Sequence, residues 1–391
     1  MYIFVSGWSK EEHVPEAFGI WRYEFEPDTG RLMQEKLVDN SRRWGVLCVD
    51  RRRNVLYALD ESLDSDTKGV GGGGGIGVFQ LGPGGECRQI GYTATFCPYP
   101  AFLTLDQTGE YLIVANHASN SYVTKLEKDE TEGYYPCVEF DDSLVELFSI
   151  NPDGTIHQLV DAVKHLGRGP GRRQIVSHPH CAAMSPSGNL FAVCDKGNDG
   201  IYMYQIDREH NKLTATGDPY QTAPGTMPRY CAFHPSLPYF YYNCEGALNV
   251  FAARYGENGE LNQIGAFQAV DSKANPRNSE TWVQQGFCVH PSGRYLYDVI
   301  NGAEAVAVFR INQQDGSLEL IQNQTVGYGW ARGAVLSPDG RYLLVMCCMG
   351  NQIVPYRIEE DGTLTPTGNL MGQYAAADAV FWNYAAENST M

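Results

Sequence analysis

One phrase recurs along this chain of 391 residues: a Pro/Gly turn followed by an aromatic-rich apolar run. It reads SPSGNLFAV from Ser185, HPSLPYFYY from His234, HPSGRYLYD from His290 and SPDGRYLLV from Ser337, with looser copies DRRRNVLYA from Asp50 and DQTGEYLIV from Asp106. A second phrase, a polar turn entering a short apolar strand, occurs seven times: DTGRL, GPGGE, PDGTI, EHNKL, ENGEL, QDGSL and EDGTL, starting at Asp28, Gly82, Pro152, Glu209, Glu257, Gln314 and Glu360. Between the phrases lie alternating segments such as GIYMYQI from Gly200 and AVAVFRI from Ala305, with the period of two that strands require. Each repeat therefore spells four short strands, the first just before the Pro turn, as in RYCAF from Arg229. No segment of helical period competes. Four antiparallel strands, repeated seven times at a spacing of about 45 to 60 residues, predict an all-β, seven-bladed β-propeller forming a single domain over 1–391.

A ring of this kind needs closing, and the termini supply the means. The chain starts with YIFVSG, which reads as a second strand, followed by GIWRYEF and RLMQEKL as third and fourth; the missing first strand is AVFWN, from Ala379 to Asn383. Sharing one blade between both ends removes the open edge that invites aggregation. Two insertions interrupt the period. Residues 62–77, SLDSDTKGVGGGGGIG, have no following helix, no Lys after the glycines and no P-loop spacing, so they read as a surface excursion and not a phosphate cradle. The Glu- and Tyr-rich stretch 128–141 reads as a solvated loop.

Charge narrows the partners. With 29 Lys and Arg against 46 Asp and Glu, the net charge of −17 repels nucleic acid and anionic membranes. No stretch is apolar for the length of a bilayer and MYIFVSGWSK lacks a leader's pattern, so the expected location is cytoplasmic. Six of the eleven cysteines, Cys194, Cys231, Cys244, Cys288, Cys347 and Cys348, stand in apolar, strand-like surroundings with no C-x-x-C pair, as buried free thiols would.

In a propeller the first strands line a central channel, and the loops entering them and leaving the second strands crowd one mouth. Polar residues at those places are the site candidates: His178 and His180 before Cys181, Asp195 after a second strand, Arg229 opening a first strand, Glu245 after NC, Gln284 and Gln285, Asn301, Arg332 after Trp330 and Ala331, and Asn116 with His117. His234 and His290 occupy the turn position that Ser holds elsewhere and read as structural caps. His178, His180, Asp195 and Glu245 are metal-ligand types, but H-P-H is a poor chelating pair and no zinc spacing is present, so neither metal nor another cofactor is expected. A G-x-S-x-G elbow and a dinucleotide fingerprint are both missing.

The segments RRQIVSHPHCAAMSPSGNLFAVCDKGNDGIYMY (Arg172 to Tyr204) and TMPRYCAFHPSLPYFYYNCE (Thr226 to Glu245) resemble the seven-bladed family of bacterial 6-phosphogluconolactonases and fungal 3-carboxy-cis,cis-muconate lactonizing enzymes, and the similarity continues blade by blade over the chain. The resemblance implies His180, Arg229 and Glu245 as catalytic residues, with Arg332 in a further blade opening whose Pro is replaced by Ala331. It also implies an Arg where this chain has Asn301, and A-N-Q where it has Met346 to Cys348. Anion recognition then falls to Arg229, with Arg332 as a second candidate.

The expected activity is hydrolysis of a sugar-type lactone, a small-molecule substrate. His180 would act as general base with its pKa near the working pH, Arg229 would stabilise the oxyanion, and Glu245 would hold Arg229 or handle the leaving alkoxide's proton. Substrate contacts would come from Arg332, Asn301, Gln285, His178, Asp195, Asn116 and His117. A muconate cyclase would use the same His and Glu as acid. A non-catalytic binding platform would instead show a large exposed apolar patch on a rim.

Overall fold

In a computed structural model, which describes residues 1–8, 19–63, 73–270 and 282–383, the repeats fold into seven antiparallel sheets with no helix among the described residues. Blade 1 pairs Ala376–Trp382 with Tyr2–Gly7, then Gly19–Glu26 and Arg31–Asp39, so the two ends of the chain close the ring as the sequence predicts. The inner strands of blades 2 to 7 are Trp44–Asp50, Pro100–Leu105, Pro179–Met184, Pro228–Phe233, Val283–Val289 and Ala331–Leu336. Their second strands are Val55–Asp60, Tyr111–Asn116, Phe191–Asp195, Tyr239–Cys244, Tyr295–Asn301 and Tyr342–Cys347.

The core is not one central mass. An apolar layer fills each of the seven junctions between blades: Tyr57, Leu59 and Val78 meet Leu112, Val114 and Phe148 between blades 2 and 3, while the alternate residues Leu56, Ala58 and Phe79 face Phe4, Ile20 and Trp382 of blade 1. Alternation along a strand that is buried on both faces thus assigns odd and even residues to different neighbours.

The two sequence phrases bond to each other across these junctions. The Tyr241 hydroxyl of blade 5 donates to the Gly316 carbonyl in the QDGSL turn of blade 6, 3.2 Å away, and Tyr239 donates to Gln314 in the same turn at 2.7 Å. Tyr297 and Tyr295 reach Gly362 and Glu360 of blade 7 in the same way, Tyr342 reaches Asp28 of blade 1, Tyr57 reaches Gly154 of blade 3, and Tyr111 meets Asn211 of blade 4. Gly316 takes a left-handed φ of +77°, and a Cβ there would lie 2.6 Å from the Tyr239 ring. His234 and His290 are caps, as read: Nδ1 of each accepts from the backbone of its own turn, and Nε2 donates at 2.9 Å to Gly293 and Gly340 in the next blade.

Two expectations for the insertions change. Most of the stretch read as a loop at 128–141 is one half of an antiparallel hairpin, Tyr122–Asp129 with Gly133–Phe140, inserted between the second and third strands of blade 3; a polar tip, DETEG, joins two runs of cross-strand pairs. Within 62–77, the third strand of blade 2 already begins at Gly75, and residues 64–72 lie outside the described residues.

Replacing Gly316 by Ala puts a Cβ against Tyr239 at a left-handed backbone position, and a loss of about 2 to 3 kcal/mol of stability is expected. A lowered urea midpoint with unchanged slope checks this; an unchanged midpoint refutes the packing account of the turn.

Candidate active site at the channel mouth

Each inner strand is irregular where it enters the channel. Pro179 pairs with Asp195 and Cys181 with Cys194, leaving His180 as an extra residue; the same bulge leaves Arg229 and Tyr230 between Pro228 and Cys231, Gln285 and Gly286 between Gln284 and Phe287, and Arg332 between Ala331 and Gly333. A bulge turns its extra residue out of the alternation. Four blades therefore present polar side chains at the mouth where their other inner residues pack between blades.

A second ring position is the residue directly after each second strand. It holds Glu61 in blade 2, His117 in blade 3, Lys196 in blade 4 and Glu245 in blade 5, with Trp8 in blade 1, Gly302 in blade 6 and Cys348 in blade 7.

Bulge residues and post-strand residues meet. Arg229 Nε donates to His180 Nε2 at 3.2 Å and forms an ion pair with Glu245 Oε1 at 2.9 Å. Its Nη1 donates to Gln285 Oε1 at 2.6 Å and to the Gln284 carbonyl at 3.2 Å. Glu245 also receives Lys196 Nζ at 2.8 Å and Arg173 Nη1 at 3.2 Å. Burial by itself would raise the Glu245 carboxyl, but Lys196, Arg229 and Arg173 together hold it at about 2. Across the mouth, Arg332 Nη2 binds both Glu61 oxygens, at 3.0 and 3.2 Å, and its guanidinium lies 4.1 Å from the centre of the Trp8 ring. Gly45 permits this, because a Cβ there would overlap the Glu61 carboxylate. Burial raises the Glu61 carboxyl against the opposing pull of Arg332. Four cations thus gather around Glu61 and Glu245 at the mouth, with Asp378 as a third carboxylate in the channel beside Arg332.

The channel below is a cavity of about 260 Å³ lined from all seven blades, among others by Tyr230, Cys231, Arg332, Gly286, Phe102 and Asp378. Burial raises the Asp378 carboxyl to about 6, against backbone N–H groups that hold it, one of them Leu47 N at 2.9 Å. The Tyr230 ring meets His180 edge-on at 5.2 Å. No group of three or more His, Cys, Asp or Glu among the described residues is arranged to hold a metal.

His180 is buried, and burial followed by the Arg229 charge pushes its pKa well below 6.5, away from the near-neutral value expected from the sequence. With Nε2 turned to the Arg229 N–H, the proton sits on Nδ1, which has no partner. His117, likewise lowered by burial and then by Lys196, stacks on His178 at 4.2 Å and meets His180 edge-on at 5.9 Å.

Several expected contacts lie elsewhere. Asp195 is fully buried: one oxygen accepts from His178 N and Gly197 N, and the other faces His165 Nδ1 at 2.8 Å, whose Nε2 faces the Tyr204 hydroxyl. The His178 ring is fully buried, with Nδ1 on the His117 carbonyl. Asn116 is buried against Leu144 and Glu146. Gln284 is taken up by Cys244 N and Asp298. Asn301 makes no hydrogen bond to Arg229 or Arg332, because it is the last strand residue and pairs with Val283; the ring position of blade 6 belongs to Gly302. Asp195, Asn116 and Asn301 each stand one residue before the position that faces the mouth. Aligning the second strands on Glu245 would have found Lys196 and Glu61. Arg173, on a loop outside the strand pattern, had no such signal.

The family described as lactonase, 7-bladed β-propeller, matches residues 3–379. The 6-phosphogluconolactonase of Bacillus subtilis is 25% identical over 352 residues, covering 89% of each chain, and that of Formosa agariphila is 22% identical over 347 residues, covering 87% of this chain and 88% of its own. Among solved structures, the periplasmic gluconolactonase of Pseudomonas aeruginosa superposes with a TM-score of 0.80 at 19% identity, covering 97% of this chain and 98% of that one, which shows a shared fold. With the family match spanning nearly its whole length, this chain belongs to the lactonase family of seven-bladed β-propellers.

Proposed function

We propose that this protein hydrolyses an anionic sugar lactone, of the 6-phosphogluconolactone type, at the mouth of its channel. The observation that carries the reading is the convergence of Lys196, Arg173, Arg229 and Arg332 around Glu245 and Glu61 in a chain of net charge −17. The sequence left one or two arginines for the anion; Lys196 and Arg173 add two cations suited to a phosphate. The names of the curated relatives point to the same substrate class.

In this mechanism neutral His180 takes a proton from water as the water oxygen attacks the lactone carbonyl. His180 Nε2 accepts the Arg229 N–H and must exchange it for water, while Arg229 keeps its ion pair with Glu245 and its bond to Gln285. Arg229, fixed by Glu245 and Gln285, stabilises the oxyanion. When the intermediate collapses, the ring C–O bond breaks and His180 returns its proton to the leaving alkoxide. A cyclase needs an acid to protonate carbon; His180 and Glu245 are both held deprotonated, which favours hydrolysis. Eleven free cysteines, with the Cys181 and Cys231 sulfurs 4.0 Å apart and unbonded, support a reducing, cytoplasmic setting.

His180→Ala should lower kcat for opening of 6-phosphogluconolactone by about 10²- to 10⁴-fold, followed with a pH indicator; full activity removes the mechanism. Lys196→Ala should raise KM for the phosphorylated lactone by about 10- to 100-fold while changing that for unphosphorylated gluconolactone little, the loss expected of one charged hydrogen bond; equal effects on both place the phosphate elsewhere. Because His180 must be neutral to act and its pKa is lowered, the acid limb of kcat/KM should lie below pH 6.5. A limb at or above 6.5 assigns the base to another group.

A further inference from the structure

Between Asp161 and Asp195 the chain carries no acidic residue, although it holds 46 in all, and this stretch contains Lys164, Arg168, Arg172 and Arg173. The three arginines stand on the glycine-rich loop 167–173, which leads toward the inner strand of blade 4. The loop folds around one buried side chain. Gln174, 1% exposed, donates from Nε2 to the Lys196 carbonyl at 3.0 Å and to Asp199 Oδ1 at 2.8 Å, while its Oε1 accepts from Gly171 N at 3.0 Å. A Cβ on Gly169 would lie 2.3 Å from Nε2, and one on Gly171 2.9 Å from Oε1, so the missing side chains let the backbone close on the amide. Gly169 N in turn donates to the Gly197 carbonyl at 2.7 Å. The base of the loop and the turn that carries Lys196 are therefore one hydrogen-bonded unit.

Asp199 belongs to a latch that recurs around the ring. Its Oδ1 also accepts from Met227 N at 2.8 Å and its Oδ2 from Gly225 N at 2.7 Å, just ahead of the inner strand that presents Arg229. Glu304 likewise holds Trp330 N and Ala331 N where blade 7 begins, and Asn351 holds Ala375 N ahead of blade 1. Those two latches grip backbone N–H groups and join blade to blade. The Asp199 latch grips the Gln174 amide as well, and the Met227 carbonyl that accepts from Glu245 N at 2.9 Å ties Glu245 into the same unit. We propose that Gln174 is a positioning residue for phosphate recognition, fixing Arg173 and Lys196 at the spacing of two oxygens of one phosphate. This rests on the lactonase reading of the mouth. The spacing is visible on Glu245, where Lys196 sits on Oε1 and Arg173 on Oε2. Two oxygens of a phosphate offer acceptors of similar separation, and both cations have donors to spare. The Arg173 side chain is 56% exposed and that of Lys196 12%, so the pair opens to solvent on the Arg173 side. A long exposed side chain loses rotamer freedom on binding, and a pinned backbone keeps the further loss small.

Gln174→Met keeps the volume of the side chain and removes its amide. KM for 6-phosphogluconolactone should rise about 10-fold with kcat little changed, and both constants for unphosphorylated gluconolactone should stay at their wild-type values. Gly169→Ala leaves Gln174 in the chain but pushes its amide aside, and it should give the same split between the two lactones. Equal losses on both lactones, with a lowered melting temperature, make Gln174 a structural residue only and overturn the proposal. An unchanged KM for the phosphorylated lactone in both variants, while the wild type prefers that substrate, overturns it and leaves the lactonase reading standing. A wild type without that preference removes the reading itself, and the proposal with it.

Discussion

The tyrosine hydroxyl that leaves one blade and ends on the outer-turn carbonyl of the next is the contact on which this ring depends. Four of the seven junctions carry it, through Tyr57, Tyr239 and Tyr241, Tyr295 and Tyr297, and Tyr342, and in a fifth the Tyr111 hydroxyl meets the Asn211 side chain instead. Each bond ties the aromatic run of one repeat to the polar turn of its neighbour, and in the turns of blades 1, 6 and 7 a glycine lets the ring approach. The apolar layers between blades have no directional preference of their own. The tyrosines and their turns supply one, fixing how far each blade slides and tilts against the next. In the junction between blades 1 and 2, Arg22 plays the same part by donating to Gly84 in the GPGGE turn.

A ring held at its outer turns leaves its inner strands free to be irregular. Pairing slips where they enter the channel, and His180, Arg229, Gln285 and Arg332 are the residues released by those slips. They meet the residues that directly follow the second strands, Lys196, Glu245 and Glu61. Two rings of positions, one from bulges and one from loop starts, therefore build a single charged mouth from blades that contribute one or two side chains each. The cost is visible in burial: Glu61 and Asp378 are raised, Lys196 is lowered, and His180 is left neutral with an unpaired Nδ1.

The architecture was legible in the sequence because its determinants are local and repeated: turn glycines, strand alternation and a terminal AVFWN that could only be a missing first strand. That His180, Arg229 and Glu245 would meet was legible for the same reason, since they stand at repeat-defined places. Asp195, Asn116 and Asn301 were displaced by one residue because the end of a strand cannot be read to that accuracy, and one residue reverses a side chain's direction. The pKa of His180 was out of reach, since it depends on burial and on Arg229, 49 positions away. The hairpin was hidden because its charged residues and acidic tip dominate its composition, and only the pairing register shows which of its apolar residues share a side.

The most direct test of the channel mouth as an anion-directed lactonase is the kcat/KM of the wild-type protein for 6-phosphogluconolactone relative to unphosphorylated gluconolactone, measured at low and high salt. A preference of about tenfold or more that shrinks as salt screens the partly exposed cations is the predicted result. Equal kcat/KM values for the two lactones, or ring opening no faster than the spontaneous rate for both, would contradict the account.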